Sequence, residues 1–329
     1  MKNLLKKLLI ALLLIQTSTV FAATANYQEE DYNIHVIYND IVVPGDAIFV
    51  RMTIQTPKNH RKSSESEKSA VLKFYQKQKA IETASFYSTG KGKKSNTIEL
   101  LCGVPVSPWL TNNEYSLKVF FTIDSEVREF NLPITFQMRD WDKETIPLDA
   151  KNTEIKTDNS PQRAAQINKL NDILYTITPE NVLSLKPMVS PTESKRYTAH
   201  FGDRRIYAYS NGKSSTSLHY GNDYGIPEGS EVKACADGRV VLAEWRNSTG
   251  WSIVIEHLPG LYSLYYHLSE MKVKEGDTVK SGELIAKSGK TGLATGPHLH
   301  WEMRLNGSAC RPEFFTENFT FEGIDYTNN

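Results

Sequence analysis

Apolar residues recur at every second position through much of this chain, and at helical spacing in only one stretch. That pattern predicts an all-β protein. Ile48, Val50, Met52 and Ile54 alternate with Phe49, Arg51 and Thr53. Leu117, Val119, Phe121 and Ile123 form a second run, and Phe130, Leu132, Ile134, Phe136 and Met138 a third, after an Asp124-Ser125 turn. A period of two carried by Val, Ile, Phe and Thr marks half-buried strands. Pro133, inside the third run, has no amide hydrogen to give a ladder, so it predicts an edge strand or a bulge. Several such strands within residues 26–148 predict an immunoglobulin-like β-sandwich. A polar loop, KNHRKSSESEKS at 58–69, interrupts them. His35 and His60 stand alone here and read as ordinary strand or surface histidines.

The one helical pattern lies in a connector at 149–192. Ser160 is placed as an N-cap and Pro161 at the first helical position. Ala164, Ile167, Leu170, Ile173, Leu174 and Ile177 then repeat at helical spacing until Pro179. This predicts an amphipathic helix of about 17 residues. Residues 193–315 return to short β runs broken by Gly-bearing turns, with no helical stretch, and predict a compact β-barrel or sandwich. A polar tail, 316–329, follows.

At 329 residues the chain has room for two domains. Its 38 basic and 38 acidic residues balance, which argues against a nucleic-acid partner. Residues 1–22 combine Lys2, Lys6 and Lys7 with an apolar run from Leu8 to Ile15 and small residues around a cut after Ala22 or Ala25. That is the plan of a secretory signal peptide, and the run is too short to span a bilayer. The expectation is an exported protein without a transmembrane anchor, periplasmic or extracellular. Cys102, Cys235 and Cys310 are odd in number and lack CxxC spacing. They read as buried small hydrophobes, with a Cys235–Cys310 bridge left open by the oxidising destination.

Six of the eight histidines fall between residues 200 and 300. In GPHLHW, 296–301, His298 and His300 are two apart on an alternating run. On a strand they point to one face while Leu299 points to a core. Two adjacent imidazoles would repel if both were charged, whereas a metal binds the neutral ring. LHYGNDYG places His219 four residues before Asp223, with Gly221 between to let the backbone turn. LYYHLS adds His267 on a third strand. Three protein donors with one position open is how catalytic zinc sites are built, while structural sites close with four. No HExxH helix occurs, so the base must be a histidine.

HYGND, YYHLS and GPHLHW match, in order and spacing, the HxxxD, HL and HxH motifs of the lysostaphin-type (LytM-like) zinc metallopeptidases, which are peptidoglycan endopeptidases. The resemblance covers roughly residues 200–312. It implies a duplicated-hybrid-motif-like β domain at 193–315. It assigns zinc to His219, Asp223 and His300, and catalysis to His267 and His298 as general base and transition-state stabiliser, in an order left open. It implies hydrolysis of stem or cross-link peptides of peptidoglycan. The alternative is a catalytically weak or autoinhibited wall-binding protein that activates a separate amidase; such relatives typically lack some metal-binding residues. The first domain is expected to dock on another envelope protein, or the connector to cover the groove. His257 and His200 read as structural or surface residues, and Asp203, Arg204 and Arg205 as a salt-bridged loop. Of Tyr265 and Tyr266, one is expected in the core and the other beside the site.

Overall fold

The protein was analysed as a computed structural model that describes residues 23–28, 32–56, 69–90, 96–123, 126–317 and 321. The signal peptide read at 1–22 lies outside the described residues. So do loop residues 58–68 with His60, the Asp124-Ser125 turn, and all of the tail except 316, 317 and 321. Among the described residues no helix is long and apolar enough to cross a membrane. Among the described residues the fold is all-β apart from three helices, and the chain divides into two compact units. The second unit takes everything from Phe136 onward together with Val42–Ala47 and Val104–Asn113.

The first unit is built on two sheets. One runs in the order Ala23–Gln28, Asn33–Tyr38, Ala47–Gln55, Thr97–Pro105, Tyr87–Ser88. The other runs Glu126–Leu132, Tyr115–Ile123, Ser69–Gln76, Lys79–Ser85. In two of the runs the alternating residues read from sequence are the buried ones: Val50, Met52 and Ile54 on the first sheet, Leu117, Val119 and Phe121 on the second, all at 0% exposure. The third run holds only for Phe130 and Leu132, its strand ending before Pro133 and Met138 being 44% exposed. Tyr27 packs on Phe130 at 4.1 Å between ring centroids, and Tyr32 meets Phe121 edge-on at 6.0 Å. Pro133 behaves as expected. Glu126–Leu132 is an edge strand that stops just before it, and the Pro133 carbonyl accepts the Tyr38 hydroxyl.

The second unit centres on a sheet in the order Tyr197–Ala199, Asn222–Tyr224, Leu299–Leu305, Leu261–Met271, Gly250–Leu258, Gly238–Arg246, Thr278–Val279. Leu284–Ser288 pairs with Leu261–Met271 and with Glu231–Lys233, and Ser308–Cys310 pairs with Leu299–Leu305. Strand Arg204–Ala208 lies between Ser214–Leu218 and Lys143–Pro147, a strand just ahead of the connector, which runs parallel to it. All three cysteines are buried and free, so Cys235 and Cys310 do not pair.

The connector holds two helices where one was expected. Ala150–Thr157 starts at Asp149, whose side chain accepts from the Asn152 amide. Its AKNTEIKT sequence is polar on nearly every face, so no apolar stripe announced it. Pro161–Leu174 is the expected helix, capped by Ser160 accepting from the Arg163 amide. It spans 14 residues, shorter than expected, because the chain leaves the helix at Tyr175. Ile177 lies past that end and is 50% exposed. Leu170 and Leu174 enter a cluster with Leu242, Val254, Tyr262, Leu264 and Tyr266. A short helix, Pro312–Glu317, follows the last strand, where no helix was expected.

Candidate metal centre

Strand register brings the motifs together. Asp223 is the direct antiparallel partner of His300, and His300 is in turn the partner of Tyr266. Direct partners share a face, so the three side chains form a row across three strands. The Tyr266 ring stacks on the His300 imidazole, 5.5 Å between centroids and 3° from parallel. His219 enters from the loop ahead of Asn222–Tyr224. Gly221 is needed there for close approach, not for a left-handed turn. A Cβ at Gly221 would sit 2.3 Å from the Trp301 carbonyl oxygen.

Three donor atoms converge. His219 Nε2 lies 3.1 Å from Asp223 Oδ1 and 3.1 Å from His300 Nδ1, and His300 Nδ1 lies 2.7 Å from Asp223 Oδ1. All three residues are buried. Each has its far atom engaged elsewhere. His219 Nδ1 donates to the His200 carbonyl at 2.7 Å, and His300 Nε2 donates to Glu302 Oε1 at 2.9 Å. Arg205 Nη2 donates to Asp223 Oδ2 at 2.9 Å. Outer partners of this kind fix the tautomer and orientation of metal-binding histidines. The donor set fits zinc, whose tetrahedral donors, with bonds of about 2.0–2.1 Å, stand roughly 3.3 Å apart. Sequence reasoning had not singled out Glu302 and Arg304. They follow His300 at i+2 and i+4 on one strand face, so the period of two was the signal that could have found them. Arg304 Nη2 holds Glu302 Oε2 at 2.6 Å.

The cluster is electrostatically tight. Burial lowers the His300 pKa, but Asp223 and Glu302 outweigh it and push it to about 9. Burial would raise Asp223, yet the His219 and His300 imidazoles hold its carboxyl well below the usual range. Glu302 lies near 2 despite burial, because Arg304 and His300 face it. Without a metal the group thus keeps a proton at His300, and a cation would displace it.

His267 and His298 stand beside this group, with ring centroids 4.7 Å apart. His267 has a positive φ of 60° at a register shift in Leu261–Met271. Bulges of this type re-aim side chains beside active sites, and a left-handed histidine stores strain. Its Nδ1 donates to the Thr291 carbonyl at 2.7 Å, and burial together with His298 and His300 draws its pKa to about 3. His298 Nδ1 donates to the Gly296 carbonyl at 2.8 Å, and its Nε2 lies 3.7 Å from Asp223 Oδ1. Burial lowers its pKa as well. Both rings therefore carry the proton on Nδ1 and leave Nε2 free to accept one. Leu299 points away and is fully buried.

Residues 217–312 match the model of Peptidase family M23. This segment is a Peptidase family M23 domain. Over 118 residues, 36% of its length and 27% of the relative's, the chain is 36% identical to Peptidoglycan DD-endopeptidase ShyA of Vibrio cholerae. Over 89 residues, 27% of this chain and 21% of the relative, it is 43% identical to Murein hydrolase activator EnvC of Escherichia coli. These matches span 27% and 21% of the relatives' own length, well under a third. A crystal structure of a candidate peptidase M23 from Pseudomonas aeruginosa shares the fold at a TM-score of 0.53 and 18% identity, over 84% of this chain and 96% of that one.

A cleft of about 720 Å³ is bounded by Trp245, Asn247, Lys290 and Thr291, whose carbonyl accepts from His267 Nδ1, and, from the first connector helix, by Lys151 and Glu154. Trp245 is 44% exposed and meets Trp251 edge-on at 5.5 Å. The remaining histidines are structural. His257 is fully buried between the Asp237 carbonyl and the Ser263 hydroxyl. His200 is exposed and touches the site only through its carbonyl. Tyr265 lies in the core, its hydroxyl accepting the Cys235 amide, while Tyr266 is the tyrosine that reaches the site. Arg205 is salt-bridged as expected, to Asp223 and Glu144.

Proposed function

We propose that the M23 domain is a zinc-dependent endopeptidase that hydrolyses stem or cross-link peptides of peptidoglycan outside the cytoplasm. The observation that carries this reading is the convergence of His219, Asp223 and His300 on one point, with His267 and His298 held beside it. Zinc held by the first three would supply a Lewis acid for the scissile carbonyl and make a water molecule acidic enough to react at neutral pH. His267 and His298 each present a neutral Nε2. One takes the proton of the attacking water, a contribution of about a hundred- to ten-thousandfold. The other, once protonated, hydrogen-bonds the oxygen on which charge develops. The Trp245 cleft gives the peptide a wall to lie against.

The 43% identity to Murein hydrolase activator EnvC supports a second reading, in which the domain binds the wall and switches on another hydrolase. One experiment separates the two. Purified peptidoglycan is incubated with residues 23–329 and zinc, beside His298→Ala, and the products are read by mass spectrometry. New peptide fragments that require His298 are expected. No fragments from a zinc-loaded protein would reject the enzyme, and a gain in the rate of an added amidase would then establish the activator.

A further inference from the structure

We propose that Glu144, on the strand just ahead of the connector and outside the M23 domain, is a positioning residue of the metal centre, acting through Arg205 on Asp223. This rests on reading His219, Asp223 and His300 as a zinc site.

Lys143–Pro147 runs parallel to Arg204–Ala208, with Glu144 opposite Arg205. Arg205 divides its donors between two carboxylates. Nε reaches Glu144 Oε1 at 2.6 Å and Nη2 reaches Asp223 Oδ2 at 2.9 Å. The Arg205 and Asp223 side chains are both 10% exposed and that of Glu144 37%. Neighbouring Arg204 turns the other way, over Trp109 at 3.8 Å, and donates to the Pro108 carbonyl. Strand alternation thus sends one arginine to the centre and one away from it.

Two effects follow. Charge-assisted bonds on two sides lock the planar guanidinium. With Oδ2 held, Asp223 keeps Oδ1 turned to His219 and His300. The second effect is charge. A buried guanidinium beside a cation site opposes cation binding and competes for Asp223, and Glu144 offsets that charge. The connector helix braces the other flank, because Leu170 and Leu174 share a cluster with Tyr266, which stacks on His300. The segment from Lys143 through the connector helix is therefore a component of the metal centre. A chain begun at residue 193 would lose Glu144 and could not test whether the connector inhibits.

The test uses residues 23–329 and zinc alone as the probe. Zinc affinity is measured by competition with a chromophoric chelator for the wild type, Glu144→Ala, Glu144→Gln and His219→Ala. The thermal melting of each metal-free protein is measured alongside. Glu144→Ala should weaken zinc binding about tenfold, the low end for an outer partner. Glu144→Gln, which keeps an acceptor but no charge, should fall between it and the wild type. Metal-free melting should not move in either variant. Wild-type affinity in both variants overturns the proposal. So does a loss of affinity that only tracks a loss of metal-free melting temperature. If the wild type binds no zinc, or binds it as well as His219→Ala does, the metal-centre reading fails and takes the proposal with it.

Discussion

His257 should make the second unit lose stability in mild acid, by an amount that the fold sets. Its ring is fully buried, with Nδ1 donating to the Asp237 carbonyl at 2.8 Å and Nε2 accepting from the Ser263 hydroxyl at 2.7 Å. Burial, only partly offset by Asp237, lowers its pKa from 6.5 to about 4. The unfolded chain therefore takes up this proton near pH 6.5 and the folded chain only near pH 4. Between those values the unfolded state binds more protons, so stability falls as pH falls. The slope is about 1.2 kcal/mol per unit near pH 5, and the loss reaches about 3 kcal/mol at pH 4. Set against a total of about 5–15 kcal/mol for a domain, that is a large share. The assay is urea unfolding followed by tryptophan fluorescence, with a chelator present. Trp109, Trp141, Trp245, Trp251 and Trp301 all belong to the second unit, so the signal reports that unit alone. Other titrating groups are common to the wild type and His257→Gln, and cancel in the difference between them. The wild type should lose about 3 kcal/mol more than the variant between pH 7 and pH 4. A difference that stays constant across that range would refute a buried, neutral His257.

Three further outcomes are expected. Gly221→Ala should abolish stoichiometric zinc binding, read by metal analysis after dialysis, because the new methyl would meet the Trp301 carbonyl at 2.3 Å and the loop carrying His219 must shift. Leu174→Ala removes a side chain that is 2% exposed, and should cost about 2–5 kcal/mol in urea unfolding of the second unit. Glu302→Gln keeps the volume but loses the charge that faces His300 and Arg304, and should weaken zinc binding about 10- to 100-fold in the same chelator competition.

The strands of both units were legible because their alternating residues are the ones buried, as Val50, Met52 and Ile54 illustrate. The five residues of the candidate site were legible because each sits in a short motif whose spacing survives folding. His298 and His300 share a face by period two, and His219 reaches Asp223 across one tight loop. What escaped was whatever depends on pairing between distant segments. The His267 bulge is a mismatch between two strands, and no count along one strand contains it. The first connector helix has no apolar stripe. Its buried residues are Asn152 and Thr153, held by the Asp149 cap and by hydrogen bonds from the Ser210 amide and hydroxyl to Thr153 Oγ1.

The supports of the site follow the same logic. Glu302 and Arg304 lie on the same strand as His300, and extending the alternation by two and four residues would have reached them. Glu144 stands 61 residues before Arg205 and is joined to it only by a parallel strand pairing. Arg205 could be read as salt-bridged from its neighbours, but not to what. Chemistry that needs several donors at one point tends to gather them from adjacent strands, where local spacing records it. The groups that orient those donors need only reach the far side of each, and any segment that passes there will serve. In this chain that segment is the strand Lys143–Pro147, just ahead of the connector, which lies outside the 217–312 match. How firmly Asp223 is held can therefore vary with the segment that precedes an M23 domain, while the domain's own motifs stay the same.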